Sequence, residues 1–347
     1  MELLASRNSS TCYRHHTAGP VDVLVSSTPA TRRLLTSPHL VGDQYSQALR
    51  TGVRDALSMA VAEIPDLRTA LTRTRSEVLN ILRGGLTFGV ASAVEAVSGT
   101  PPMVGFIGTD RQAGALRIDY ERWEDADGGA LVLGDIVATG STVDLALRTV
   151  LDRSARTGRR IPHIVVVTIA AAPGVAAIER LVNSYAATLP APPRATVIAL
   201  ESIFRLPENG AAAEFPQAPF DFLRGTTATT PEFEWERLTT MGSLLEKCVV
   251  YDGGLRAFAP TGHLDFRAAW WTAFRPDTDL ETLARVTAGL HHFALPFAEW
   301  RSVAAPATAG PGSDHERIYE AGRHSWESLR GGTVGRYLDD HEVLKQQ

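Results

Sequence analysis

An apolar run, ALVLGDIV at 130–137, gives way to the small-residue turn ATGST at 138–142. It then resumes at once with helical spacing at Val143, Ala146, Leu147 and Val150. A short β-rich apolar run reads as a buried strand, and apolar residues three and four apart read as one stripe of a helix. The pattern recurs along the chain. Expected strands EVLNILR (77–83), PPMVGFIG (101–108), IPHIVVVTIAA (161–171) and ATVIAL (195–200) alternate with helical LTFGVASAVEAV, the helix after the turn to about Arg156, and VAAIERLVNSYA. Strands separated by helices of about ten to fifteen residues predict an α/β fold, a mostly parallel twisted sheet with helices on both faces.

Outside this rhythm the chain changes character. Residues 1–28 form a polar, small-residue extension with one short strand candidate at Val21–Ser26, and 44–72 carry helical patterning. A polar turn after Gly108 is expected to lead into the strand-like ALRIDYERW. Residues 208–246 are acidic and aromatic without β/α period and read as an insertion, KCVVYDGG (247–254) returns to strand chemistry, and 259–347 predict a helical extension, with helices around 264–274, 278–292 and 312–343. No internal repeat stands out.

The net charge of −5 and the lack of a dense Lys/Arg run argue against a nucleic-acid partner. Cys12 and Cys248 cannot build a disulfide framework, and no Cys/His spacing suits zinc. The N-terminus lacks the apolar core of a signal peptide, and IVVVTIAAAP is too short to span a bilayer. The expectation is a cytoplasmic enzyme with no membrane partner.

Three strand ends offer anion-binding groups. In ATGST, Gly140 permits a left-handed turn, and the amides and hydroxyls of Thr139, Ser141 and Thr142 can converge on a phosphate at a helix N-terminus. The competing reading is that Ser141 merely caps the helix. Asp135, at the end of its strand, suits sugar hydroxyls. Arg83 is followed by two glycines, which pairs a guanidinium fork with backbone that can approach closely. Arg111 follows a third strand, and taken alone is as readily an arginine in a solvated turn. Ligands of parallel sheets bind outside the carboxyl ends of the strands, so three such groups together point to a ligand with more than one phosphate.

The ordered set LRGGL, VGFIGTDRQ, LVLGDIVATGST, IVVVTIAAAPGVAAIERL, VIALESIF and YDGGLRAF resembles a type I phosphoribosyltransferase, most closely the uracil phosphoribosyltransferase branch. The resemblance runs from about Pro29 to Phe258 and is interrupted by the insertion. It implies phosphoribosyl pyrophosphate (PRPP) as donor, Mg²⁺ as cofactor and a homodimer. It also implies that Ala138, Thr139, Gly140, Ser141 and Thr142 hold the 5′-phosphate, that Asp135 meets the ribose hydroxyls, and that Arg83, Gly84 and Arg111 face the pyrophosphate. Tyr251, Asp252 and Gly253 would then face the acceptor, with Asp252 near the metal.

Departures from the family pattern concentrate on the acceptor side. Gly134 stands where the wider family has a second acid, a feature the uracil branch also lacks; on the acceptor side Leu255 replaces an aspartate and KCVV replaces the proline–glycine approach to the base. These changes favour transfer to an amine or hydroxyl of a specialised metabolite such as an aminocyclitol precursor, over uracil salvage. Glu214, Asp221, Glu232, Glu234, Trp235, Glu236, Trp270 and Trp271 would suit a polycationic acceptor, or else make a solvated charged face and core contacts. A third reading is a PRPP-sensing regulator without catalysis. His15 and His16 are expected in a mobile N-terminus, and His291 and His292 on a helix, where neighbours point apart.

Overall fold

The computed structural model describes residues 1–15, 19–112, 115–124, 128–189, 191–206, 226–240, 245, 253–304 and 313–341. Ten strands make one sheet: β1 (Glu2–Arg7), β2 (Ser10–His15), β3 (Val21–Ser27), β4 (Glu77–Leu82), β5 (Met103–Gln112), β6 (Ala115–Arg122), β7 (Leu131–Val137), β8 (His163–Ala171), β9 (Arg194–Phe204) and β10 (Thr226–Thr229). Six of them run parallel in the order β3-β9-β8-β7-β4-β5. Antiparallel β1 and β2 extend one side, so the N-terminus expected to be mobile, with one strand, instead pairs as three strands and holds His15 in β2; β6 closes the other side, and β10 pairs antiparallel with β9.

Helices α1 (Pro29–Thr36), α2 (Gly42–Glu63), α3 (Pro65–Thr72), α4 (Val90–Ser98), α5 (Ser141–Thr157) and α6 (Ala172–Ala186) cover the sheet. On one face α2, α3 and α4 pack Leu49, Val53, Leu67, Val90 and Val94 against Val78, Val132, Val165 and Ile198. On the other, α5 and α6 pack Val143, Leu147, Val150, Ile178 and Leu181 against Leu79, Leu133, Val166 and Val197. All nine residues of β8 are buried, as a strand covered on both sides requires. The predicted mostly parallel, doubly covered sheet is the observed one.

Local differences have physical causes. The stretch 44–72 is two helices, because Pro65 has no N–H to continue α2 and instead opens α3. The polar residues expected in a turn after Gly108 continue β5 to Gln112, since β6 supplies their ladder partners, Arg111 opposite Leu116 among them. LTFGVASAVEAV divides into a 3₁₀ turn, Gly84–Phe88, and α4.

Beyond the sheet lie α7 (Pro231–Thr239), α8 (Gly253–Phe258), α9 (Pro260–Thr272), α10 (Leu280–Ala288), α11 (Phe297–Val303), α12 (Ser313–Ser328) and α13 (Val334–His341). Trp270, Trp271, Leu283, Trp300, Tyr319 and Trp326 form a third core there, which Leu238 of α7 and Leu245 join. The end of the expected insertion and the C-terminal extension therefore share one core. Trp270 and Trp271 are 4% and 1% exposed, core residues and not a stacking surface. The expected helix 278–292 ends at Ala288, and His291 and His292 fall in a 3₁₀ turn that brings their ring centroids to 4.0 Å, so the expectation that they point apart is corrected. Among the described residues no helix is long and apolar enough to cross a membrane.

Candidate active site

The chain leaves β4 through α4, on one face, to reach β5; it leaves β7 through α5, on the other face, to reach β8. β4 and β7 are neighbours, so their crossovers part in opposite directions and open a crevice at the carboxyl ends. Ligands of open α/β sheets bind at such a switch point. Residues 83–85 line it after β4, and Asp135 with 138–142 line it at the end of β7.

The two sides touch. A Cβ added to Gly84 would lie 2.7 Å from Oδ1 of Asp135, and one on Gly85 would lie 2.9 Å from the carbonyl oxygen of Gly134. The turn therefore lies against β7 with room only for glycine. The Leu82–Arg83 peptide is cis. Arg83 itself is exposed at the start of the Gly84–Phe88 turn. The Oδ1 of Asp135 accepts from the amide of Ile136 at 2.9 Å, and burial pushes its carboxyl up to about 7.

Gly140 has φ +84° and occupies the N-cap of α5, where no side chain caps the helix. Ser141 is the first helical residue, so the reading of Ser141 as a simple cap is overturned, and the first-turn amides keep no side-chain acceptor at the cap. The Thr139 and Ser141 hydroxyls lie 3.3 Å apart beside them. A Cβ on Gly174 would stand 2.7 Å and 2.8 Å from the carbonyl oxygens of Val137 and Ala138, so the start of α6 backs this loop closely. An uncapped N-terminus of a seventeen-residue helix, with two hydroxyls and a partial positive charge, can hold a phosphate.

Of the other expected residues, Arg111 lies in β5 three positions beyond Gly108, the partner of the last residue of β4, on the same edge of the sheet as the crevice. Tyr251 and Asp252 lie outside the described residues. Gly253 was expected in a strand-like segment; it opens α8, a helix packed against α2 and the Gly84–Phe88 turn. Among the described residues, no group of three or more His, Cys, Asp or Glu could hold a metal ion.

The acids of α7 pair within the chain, which corrects the polycation and solvated-face readings for Glu232, Glu234 and Glu236. Glu232 accepts from the Tyr13 hydroxyl at 2.9 Å, Glu236 pairs with Arg32 at 2.8 Å, and Glu234 pairs with Arg237. Arg317 lies over the ring of Trp235 at 4.3 Å. Glu214 and Asp221 lie outside the described residues.

Two structural devices near this edge escape sequence reasoning. Gly134, opposite the crevice, has Phe88 and Val90 where a side chain would go. Glu201 is fully buried, with φ +67°. Its carboxylate accepts from the Thr28 amide at 2.9 Å, from the Thr31 hydroxyl and from the Thr230 hydroxyl at 3.2 Å. Burial pushes it up to about 7. The only hint in the sequence is an acid directly after ATVIAL.

No protein-family model matches the chain, and no curated protein matches it. Among solved structures it is similar to a protein from Aquifex aeolicus, at 19% identity and TM-score 0.39 over 54% of this chain and 90% of that one. It is similar to a purine phosphoribosyltransferase from Pyrococcus horikoshii, at 16% identity and TM-score 0.26 over 42% of this chain and 86% of that one. A hypoxanthine-guanine phosphoribosyltransferase from L. donovani matches at 17% identity and TM-score 0.27 over 43% of this chain and 82% of that one.

Proposed function

We propose that the chain is a PRPP-dependent phosphoribosyltransferase that delivers the 5-phosphoribosyl group to an amine or hydroxyl of a specialised metabolite. The observation that carries this reading is the switch-point crevice, where Asp135 abuts Gly84 beside the uncapped amides of α5. Residues 138–142 take the 5′-phosphate, Asp135 accepts from ribose hydroxyls, and Arg83 and Arg111 face the diphosphate.

In the reaction the C1–oxygen bond to pyrophosphate breaks, a bond from C1 to the acceptor forms, and the acceptor loses a proton. Charge builds on the departing diphosphate, where preorganised guanidinium groups act most strongly. Bound with the donor substrate, Mg²⁺ would supply shielding of that charge, and Asp252 is the residue the resemblance offers to hold it. The phosphate loop contributes positioning. The acceptor assignment rests on the rewritten 247–255 segment, because the α7 acids are already paired within the chain.

The test is calorimetry with PRPP and Mg²⁺, followed by labelled PRPP offered with uracil and with amino sugars. Heat on titration and transfer to the amino sugar are expected. Uracil turnover at ordinary enzyme rates would instead assign pyrimidine salvage. Binding without any pyrophosphate release would make the chain a sensor, and no heat at all would end the reading.

A further inference from the structure

The C-terminal helices meet the sheet domain through Arg256 of α8, a side chain with 0% exposure. Its Nε donates to the carbonyl of Leu40 at 3.1 Å. Its Nη2 donates to Leu40 at 2.8 Å, to Ser37 at 2.9 Å and to Leu34 at 3.5 Å. Its Cζ lies 4.6 Å from the ring centroid of Tyr45 in α2. Leu34 and Ser37 stand in the last turn and at the C-cap of α1, so the guanidinium satisfies the carbonyls that a helix end leaves orphaned, at its negative pole. One helix further on, the Nε2 of His263 donates to the carbonyl of Pro38 at 2.8 Å. That is a second bolt into the same connection.

Helix α8 also packs against the Gly84–Phe88 turn, the segment that follows Arg83. We propose that Arg256 is a positioning residue acting through α8. Docked on the end of α1 and on Tyr45, it holds α8 against the Gly84–Phe88 turn, so α8 is a working wall of the site. The inference rests on the phosphoribosyl-transfer reading for what the turn binds. Arginine is required because one planar fork spans three carbonyls while stacking on a ring; the compact ammonium of lysine cannot.

The test uses the full chain with Arg256→Lys, Tyr45→Leu and Tyr45→Phe, read by amide hydrogen exchange and by calorimetric titration of PRPP with Mg²⁺. In the Lys and Leu variants, exchange at 84–88 is expected to rise at least tenfold and PRPP affinity to fall five- to tenfold, with the central strands still protected. Tyr45→Phe keeps the ring and should match wild type. If Arg256→Lys does not fold, the Leu/Phe pair at Tyr45 carries the comparison. Unchanged exchange at 84–88 would overturn the proposal, as would protection lost evenly across the sheet. Absence of PRPP heat in the wild type would count against the transferase reading alone, because the exchange comparison still decides the role of Arg256.

Discussion

The backbone of Gly84 and the carboxylate of Asp135 meet so closely that a methyl group on Gly84 would stand 2.7 Å from Oδ1. A neighbour at that distance must move. Gly84→Ala should therefore displace Asp135 and weaken PRPP binding at least tenfold, with a modest loss of stability. Removing the obstacle should separate the two effects: Gly84→Ala combined with Asp135→Ala is expected to recover the stability lost by the first change but not the binding. Urea unfolding of the two single variants and the double variant, treated as a cycle, reads the coupling directly.

Arg83 is exposed at the crevice, and surface substitutions away from caps and networks usually move stability within about 0.5 kcal/mol. Arg83→Ala is thus expected to fold like the wild type while pyrophosphate release slows, by about a hundredfold or more if the guanidinium stabilises the leaving group as an oxyanion donor does. The pairing of melting temperature with single-turnover rate checks it. An unaltered rate would remove Arg83 from the chemistry.

The buried titratable groups predict opposing pH slopes. Asp135 and Glu201 are raised to about 7 in the folded chain, from ordinary values of 3.8 and 4.5. Their folded forms hold a proton that the unfolded chain releases, so the contribution is present below about pH 4 and is lost as pH rises through 7. His163 and His263 are lowered to about 4 from 6.5 by burial. Their contribution is present above 6.5 and is lost as pH falls towards 4. The slopes oppose each other in one window, and wild-type stability should vary little between pH 5 and 7. Asp135→Asn should break the balance, gaining up to about 4 kcal/mol over wild type above pH 7 and almost nothing near pH 4, while PRPP affinity falls. Urea midpoints at pH 4, 6 and 8 measure this. A pH-independent difference would show that Asp135 is ionised in the free protein.

The sheet was legible because a parallel strand buried on both faces reads as a near-continuous apolar, β-branched run, as Ile164–Ile169 of β8 does. The junction after β7 was legible for a related reason: a tight strand–helix turn excludes large side chains, and ATGST shows it, with Gly140 at the N-cap of α5. What stayed hidden depends on partners remote in the chain. Residues 109–112 are polar and read as a turn, yet β6 gives them a ladder. Glu232 and Glu236 read as surface acids until Tyr13 and Arg32, about two hundred residues away in sequence, fold over them. Gly253 read as the end of a strand-like segment, yet it opens α8, which packs against α2 and the Gly84–Phe88 turn.

Gly134 extends the same lesson into a last prediction. The wider family pattern has a second acid at position 134, beside Asp135, although the uracil branch also keeps only one; introducing an acid here would complete the wider pattern. The packing forbids it. A Cβ there would stand 2.5 Å from Cγ2 of Val90 and 2.7 Å from Cβ of Phe88, both within the core. Gly134→Glu would place an ionised group among apolar side chains and push the Gly84–Phe88 turn off β7. Overpacking alone costs about 1–3 kcal/mol, and an unpaired buried charge adds to that. The variant is expected to be poorly folded and inactive, and Gly134→Ala to be destabilised yet folded with weakened PRPP binding. Circular dichroism melts and calorimetry on both variants test this. A stable Gly134→Glu enzyme with higher turnover would show that the turn yields more readily than its contacts with Phe88 and Val90 imply.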